Sequence, residues 1–295
     1  MSEGFFPQWA LDRAVPDEVF ARAYAALGGV RRAWIKKTVA QVHALAGPWG
    51  DPSRGSETEH RQGFVSRRRS RPVDCAALFL DASCVSAAQV AAAAVPMLLS
   101  GVPNLCAVRV LDGPPEADDV LAALELTGLE TVLHLDEAGA RRFMTFLVEA
   151  GAAAALFQGQ GQALDGLRTA AGYAAPPLRL WRPFGVERVG VLADAGQRWD
   201  WATLGWVHGC AAIDVYGART AIPDLPPGAN RRPGGLRALL EGDYPVLYVP
   251  RPRLDEARDA APLVLGPGQE GCWAWPGLDA RLFRRHALTL ADGPR

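Results

Sequence analysis

Few side chains in this sequence could do covalent chemistry, and they are dispersed. His208 and Cys210 stand two apart. On a strand that spacing turns both to one face, where an imidazole lowers a thiol pKa and makes a nucleophile. On a helix it separates them, and buried packing is the simpler reading. The other histidines, His43, His60, His134 and His286, have no His or Cys at metal-ligand spacing, and the five cysteines form no CxxC pair. The expectation is no zinc and no disulfide framework. Lys36 and Lys37 are the only lysines, so a Schiff-base or P-loop mechanism would fall on one adjacent pair.

Three segments could hold an anion. Gly159-Gln-Gly161 precedes a helical stretch whose backbone N–H groups could cradle a phosphate. The next glycine, Gly166, departs from the G-x-G-x-x-G spacing, so a plain turn is the default reading. Gly228-Ala-Asn-Arg-Arg-Pro-Gly-Gly235, after Asp224, carries Asn230, Arg231 and Arg232, which suit a carboxylate or phosphate. The alternative is an exposed loop. The run Arg67-Arg68-Arg69-Ser70-Arg71 reads as a solvated connecting loop before it reads as a clamp. Trp199, Trp201 and Trp206, and the pair Trp273 and Trp275, could stack a flat ring, with core packing as the simpler account.

The elements that must position these residues follow from hydrophobic period. Asp17–Leu27 and Arg31–Leu45 read as helices of an N-terminal arm spanning residues 1–71 with the Arg-rich loop. From Val73 short apolar strands alternate with helices. Cys75–Leu80, Leu105–Val110, Thr131–Leu135 and Ala152–Phe157 are the strands; Ser86–Ser100, Asp118–Thr127 and Glu137–Glu149 are the helices between them. Such βαβ units predict an α/β fold: a Rossmann-like, mostly parallel sheet with flanking helices over residues 72–295. Beyond Gly151 the pattern continues less cleanly, with strands at Val186–Ala193, Ala211–Tyr216 and Pro245–Val249 and helices at Leu164–Ala171, Trp199–Val207 and Leu254–Ala260. Two lobes would divide near 172–185, and Ile222–Gly235 reads as a long Pro/Gly loop. Ligands of such sheets lie beyond the carboxyl ends of the strands. The turns there nominate Asp81, Ser83, Asp112, Gly113, Asp136 and Glu137, an acidic rim that disfavours phosphate.

The stretch Cys75–Gly151 resembles histidinol dehydrogenase, of the aldehyde-dehydrogenase-like superfamily. Ala77-Leu-Phe-Leu80 and Ala93-Ala-Val-Pro-Met-Leu-Leu-Ser-Gly-Val102 are similar to that family's first strand and its A-V-P-A-x-x-A-G-V helix end. Val120-Leu-Ala-Ala-Leu-Glu-Leu-Thr-Gly-Leu129 is similar to I-L-A-A-A-x-L-A-G-V, and Ala138-Gly139-Ala140 falls near G-G-A-Q-A. Asp224–Gly235 resembles a shortened D-Y-x-x-G-T-N-H-x-L-P-T-G-G. The resemblance implies a divergent, shortened relative with an NAD-binding layer and Asp224, Asn230, Arg231 and Arg232 toward substrate. Gly268-Gln-Glu-Gly-Cys272 is similar to the superfamily's nucleophile setting, which makes Cys272 a third catalytic candidate beside His208 and Cys210. Departures accompany the matches. The family's glycine-rich turn after the first strand is Asp81-Ala-Ser83 here, its S-Q-A-E-H and P-E-H segments are absent, and Arg231 replaces a histidine beside Asp224.

Two functions are therefore expected in competition. One is an NAD-linked oxidoreductase acting on an alcohol or aldehyde, without metal. The other is a non-catalytic binding or assembly protein that keeps the α/β fold. Net charge −1, 49% apolar and 21% charged residues exclude a disordered chain and a polybasic nucleic-acid binder. With no signal-like start and no apolar stretch of spanning length, a cytoplasmic protein without membrane contact is expected, with a homodimer left open.

Overall fold

The computed structural model describes residues 4–47, 54–150, 153–159, 161–172, 178–194, 196, 198–209, 211–218, 225 and 228–292. The arm folds as α1 (Gln8–Leu11), α2 (Asp17–Ala26) and α3 (Gly29–Ala46). Two strands follow, β1 (Arg54–Glu59) and β2 (Phe64–Pro72), paired antiparallel with Glu57 opposite Arg67. This corrects the solvated-loop reading of the Arg-rich run. Both faces of this ribbon are largely exposed, so its strands carry no apolar alternation by which to be recognised.

The first parallel sheet is built from β3 (Cys75–Asp81), β4 (Asn104–Val110), β5 (Val132–Leu135), β6 (Ala153–Gln158) and β7 (Arg179–Trp181). Its helices are α4 (Ala87–Leu99), α5 (Asp119–Thr127), α6 (Glu137–Ala150) and α7 (Gln162–Gly172). Local chemistry sets the boundaries. The Asp118 carboxylate accepts the Leu121 N–H at 2.8 Å to start α5, and Gly128, in the left-handed region at φ 82°, ends it. Every residue of β3 is buried, as a central parallel strand covered on both faces requires. The Ala-rich α4 is buried along nearly its whole length, packed against α3 and α5.

Beyond Trp181 the chain builds a second parallel sheet from β8 (Arg188–Leu192), β9 (Ala212–Tyr216), β10 (Ala229–Arg231), β11 (Val246–Tyr248) and β12 (Leu263–Leu265). The helices α8 (Trp201–His208), α9 (Leu236–Leu240) and α10 (Leu254–Ala257) join them. The segment expected as a long loop thus contains an edge strand, β10. The last strand, β13 (Arg284–Asp292), returns to pair antiparallel with β2 and completes a three-stranded ribbon.

Spatial order in the first sheet is β5-β4-β3-β6-β7, and in the second β10-β9-β8-β11-β12. Both have the doubly wound order 3-2-1-4-5, counted within each sheet. No helix among the described residues is long and apolar enough to cross a membrane.

Candidate functional site

In this winding the connections change direction between the first and fourth strands, and the carboxyl ends there open a crevice. In the first sheet those strands are β3 and β6. A cavity of about 740 Å³ lies at their ends. Ser83 and Ser86 line it after β3, Gln158 and Gly159 at the end of β6, and Arg168 from α7. The connection between the sheets contributes Arg182 to Glu187, and the second half of the chain adds His208 and Trp275.

Asp81, the last residue of β3 and 6% exposed, dominates the polar chemistry beside this cavity. Its carboxylate accepts the Gly161 N–H at 2.6 Å, the Ser83 N–H at 3.0 Å and the Ser83 hydroxyl at 2.6 Å. Gly159 and Gly161 approach it so closely that a Cβ on Gly159 would clash with Asp81 Oδ1, and one on Gly161 would lie 2.5 Å from Oδ2. Gly159 also takes φ 139°, which side-chain-bearing residues rarely adopt. At the amino end of α7, where the sequence left a plain turn as the default over a phosphate cradle, the Gly161 N–H is thus answered by an internal carboxylate.

The remaining rim residues lie at their strand ends but away from this crevice. Asp112 and Gly113 follow β4 and line two other clefts. Asp136 caps α6 by accepting the Gly139 N–H at 2.7 Å, and Glu137 is ion-paired with Arg141. The strand order accounts for this: β4 and β5 lie on the far side of β3 from β6.

Of the candidate nucleophile pair, Cys210 lies outside the described residues. His208 is at the cavity wall. Its Nε2 meets Tyr248 Oη at 2.9 Å, its Nδ1 has no partner, and burial pushes its pKa down to about 3. Cys272 sits instead against α3, where the Gly271 carbonyl accepts from Thr38 at 3.4 Å. Burial raises its pKa above the ordinary thiol value, although Lys37 and Thr38 act in the opposite direction. Burial thus disfavours the thiolate that a nucleophile requires.

Asp224 also lies outside the described residues. Asn230 and Arg232 turn to an internal carboxylate, Asp214 on β9, which is 1% exposed. Arg232 Nε lies 2.9 Å from Asp214 Oδ1, and Tyr244 donates to Oδ2 at 2.8 Å. Burial works to raise the Asp214 pKa, but the bonds from Arg232, Tyr244 and Asn230 outweigh it and hold the carboxyl below its usual value. Arg231 is exposed on the same edge strand. Asn230 and Arg232 therefore anchor β10.

Sequence reasoning passed over Gln158, Arg182 and Phe184. One signal was available for Gln158: it is the single polar residue closing the apolar strand Ala153–Phe157, at a strand end where ligands of such sheets lie. Among the described residues, no three His, Cys, Asp or Glu side chains are grouped to hold a metal.

No protein-family model matches the sequence, and no curated protein matches it. Solved structures do match in fold. The chain superposes on a histidinol dehydrogenase from Elizabethkingia anophelis with a TM-score of 0.63 at 13% identity, covering 95% of this chain and 77% of that one. An NAD-dependent benzaldehyde dehydrogenase from Corynebacterium glutamicum matches with a TM-score of 0.52 at 11% identity, over 94% and 87% of the two chains. An indole-3-acetaldehyde dehydrogenase from P. syringae, in complex with NAD+ and IAA, gives 0.51 at 10% identity over 97% and 88%. At these identities the likeness establishes a shared fold, the α/β architecture of the aldehyde-dehydrogenase-like proteins.

Proposed function

We propose that this protein is a non-catalytic, small-molecule-binding representative of the aldehyde-dehydrogenase-like fold, working without a dinucleotide. One observation carries the reading: the Asp81 carboxylate answers the Gly161 N–H at the amino end of α7. In a doubly wound sheet a dinucleotide lies beyond the strand ends at the switch point, where Asp81 ends β3 and Gly161 precedes α7. Here a phosphate would meet a buried negative charge and a Gly161 N–H already engaged. Evicting Asp81 breaks three hydrogen bonds to a charged acceptor, each worth about 1.5–3 kcal/mol. The residues present do not fit the cofactor. Cys272 and His208 support the same reading, since burial keeps both uncharged near neutral pH.

The test is a titration of the purified protein with NAD+ and NADH, followed by tryptophan fluorescence. The expected outcome is no saturable change up to about 1 mM, equivalent to binding weaker than about 4 kcal/mol. Micromolar binding overturns the proposal. An NAD-linked oxidoreductase acting on an alcohol or aldehyde is the second reading. It is favoured by the position of the cavity, at the switch point of the first sheet. Saturable NAD+ binding together with aldehyde-dependent NADH formation would establish it.

A further inference from the structure

The cavity wall holds polar groups that the protein itself leaves unanswered. Gln158 is 2% exposed, and neither its amide oxygen nor its amide nitrogen has a hydrogen-bond partner. His208 is 5% exposed, and its Nδ1 likewise lacks one. Buried side-chain amides are nearly always satisfied, so an orphaned amide in a cavity wall points to a partner that enters from outside. Two such residues line this one cavity.

The chemistry of that partner can be read from the wall. A glutamine amide presents one donor and one acceptor side by side in a plane. The complementary group carries an acceptor and a donor at matching spacing, as the edge of a primary carboxamide or a lactam does. A carboxylate has acceptors alone and would set an oxygen against Gln158 Oε1. The charged side chains around the opening select no net charge. Arg182 and Glu187 carry opposite signs, and Arg168 is paired with Asp165. Phe184 and Trp275 form an apolar corner, their ring centroids 5.3 Å apart at 71°, that suits a flat body. A volume of about 740 Å³ is in the range of small-molecule sites.

We infer that the cavity takes a neutral, flat molecule bearing an amide edge, with Gln158 as its two-point partner and Phe184 and Trp275 against its face. This rests on the ligand-binding reading above and gives that reading a ligand class. The test uses benzamide, benzoate and ethylbenzene as probes of the full chain, each titrated against tryptophan fluorescence, with NAD+ as a fourth arm. Benzamide is expected to bind at least about tenfold more tightly than either of the others, the value of one to two neutral hydrogen bonds. Gln158→Leu should abolish the preference for benzamide over ethylbenzene while far-UV circular dichroism stays unchanged. Phe184→Ala, at the rim, should weaken all three probes together and keep their order, which supports the assignment even if the Gln158 variant fails to fold. Absence of a benzamide preference in the wild-type protein, which is the result expected if water alone fills the cavity, overturns the inference. So does wild-type benzamide affinity in a folded Gln158→Leu variant. Saturable NAD+ binding overturns instead the cofactor-free reading, whichever order the three probes take.

Discussion

Asp81 does within the chain what a bound anion would do for the turn around it. Replacing it with Ala removes three hydrogen bonds and leaves the Gly161 N–H unpaired. At about 1.5–3 kcal/mol for each bond to a charged acceptor, the expected cost is at least about 4 kcal/mol in urea unfolding. The same change vacates the turn, so ADP binding, expected to be absent in the wild type, should appear in calorimetry of the variant. A stable Asp81→Ala protein that ignores ADP would leave the carboxylate as a purely structural group. His208 gives a pH-dependent counterpart. Its folded pKa of about 3 lies below the ordinary 6.5, so the unfolded chain takes up a proton first as pH falls. Stability is intact above about pH 6.5 and declines toward pH 3, by about 1.4 kcal/mol per unit from this one group. His208→Gln can keep a bond to Tyr248 without titrating and should flatten that slope by one proton. Equal slopes in the two proteins would refute the assignment. The sequence made Asp81 visible as a strand-end carboxylate. It hid the residue's partner, because Gly161 lies 80 positions away and only the packing of β3 beside β6 brings them together.

Elements were legible where local signals and length agreed. The helix α5 shows both cap residues, Asp118 and Gly128, around an apolar run, and β3 shows an unbroken apolar stretch. Strands of three residues, such as β7, β10 and β12, are too short to display any period. The edge strand β10 also has little burial to announce it, and a buried polar network behind it contributes to its position. Tyr244 links that network by donating to Asp214 while meeting the Tyr216 hydroxyl at 2.9 Å. Tyr244→Phe is expected to cost about 1–2 kcal/mol, since Asp214 stays buried with one fewer donor. Hydrogen exchange should then quicken across Ala229–Arg231 and remain unchanged in β3 and β4. Uniform quickening in both sheets would mean that the network serves global stability instead.

At the scale of the whole molecule, the ribbon of β1, β2 and β13 is largely exposed. Leu288 and Leu290 are 57% and 61% exposed, and β13 is an edge strand of the ribbon. Long exposed edges with apolar side chains are prone to pairing with another chain. Self-association through this ribbon is therefore expected, and replacing Leu288 and Leu290 together by Lys should shift sedimentation to the monomer. An unchanged sedimentation coefficient would place any contact between copies elsewhere. The ribbon escaped sequence reading because strands solvated on both faces look like loops. The paired winding of the two sheets escaped it because the second half is built from short elements with weak period.

That paired winding gives the molecule a second switch point, where β8 and β11 end, and among the described residues the buried Trp199 side chain lies there. The Trp199 indole donates to the Leu192 carbonyl at 2.9 Å and lies edge-on to Tyr248, ring centroids 5.9 Å apart. Cutting Trp199 back to Ala should cost about 3–5 kcal/mol and leave a vacancy shaped like the lost ring. Apolar vacancies of that size stay dry and accept aromatic guests. Added indole should therefore raise the melting temperature of Trp199→Ala and leave the wild type unaffected. A collapsed vacancy would show no such rescue. One half of the duplicated architecture would then be an accessible receptacle and the other a receptacle furnished with its own guest.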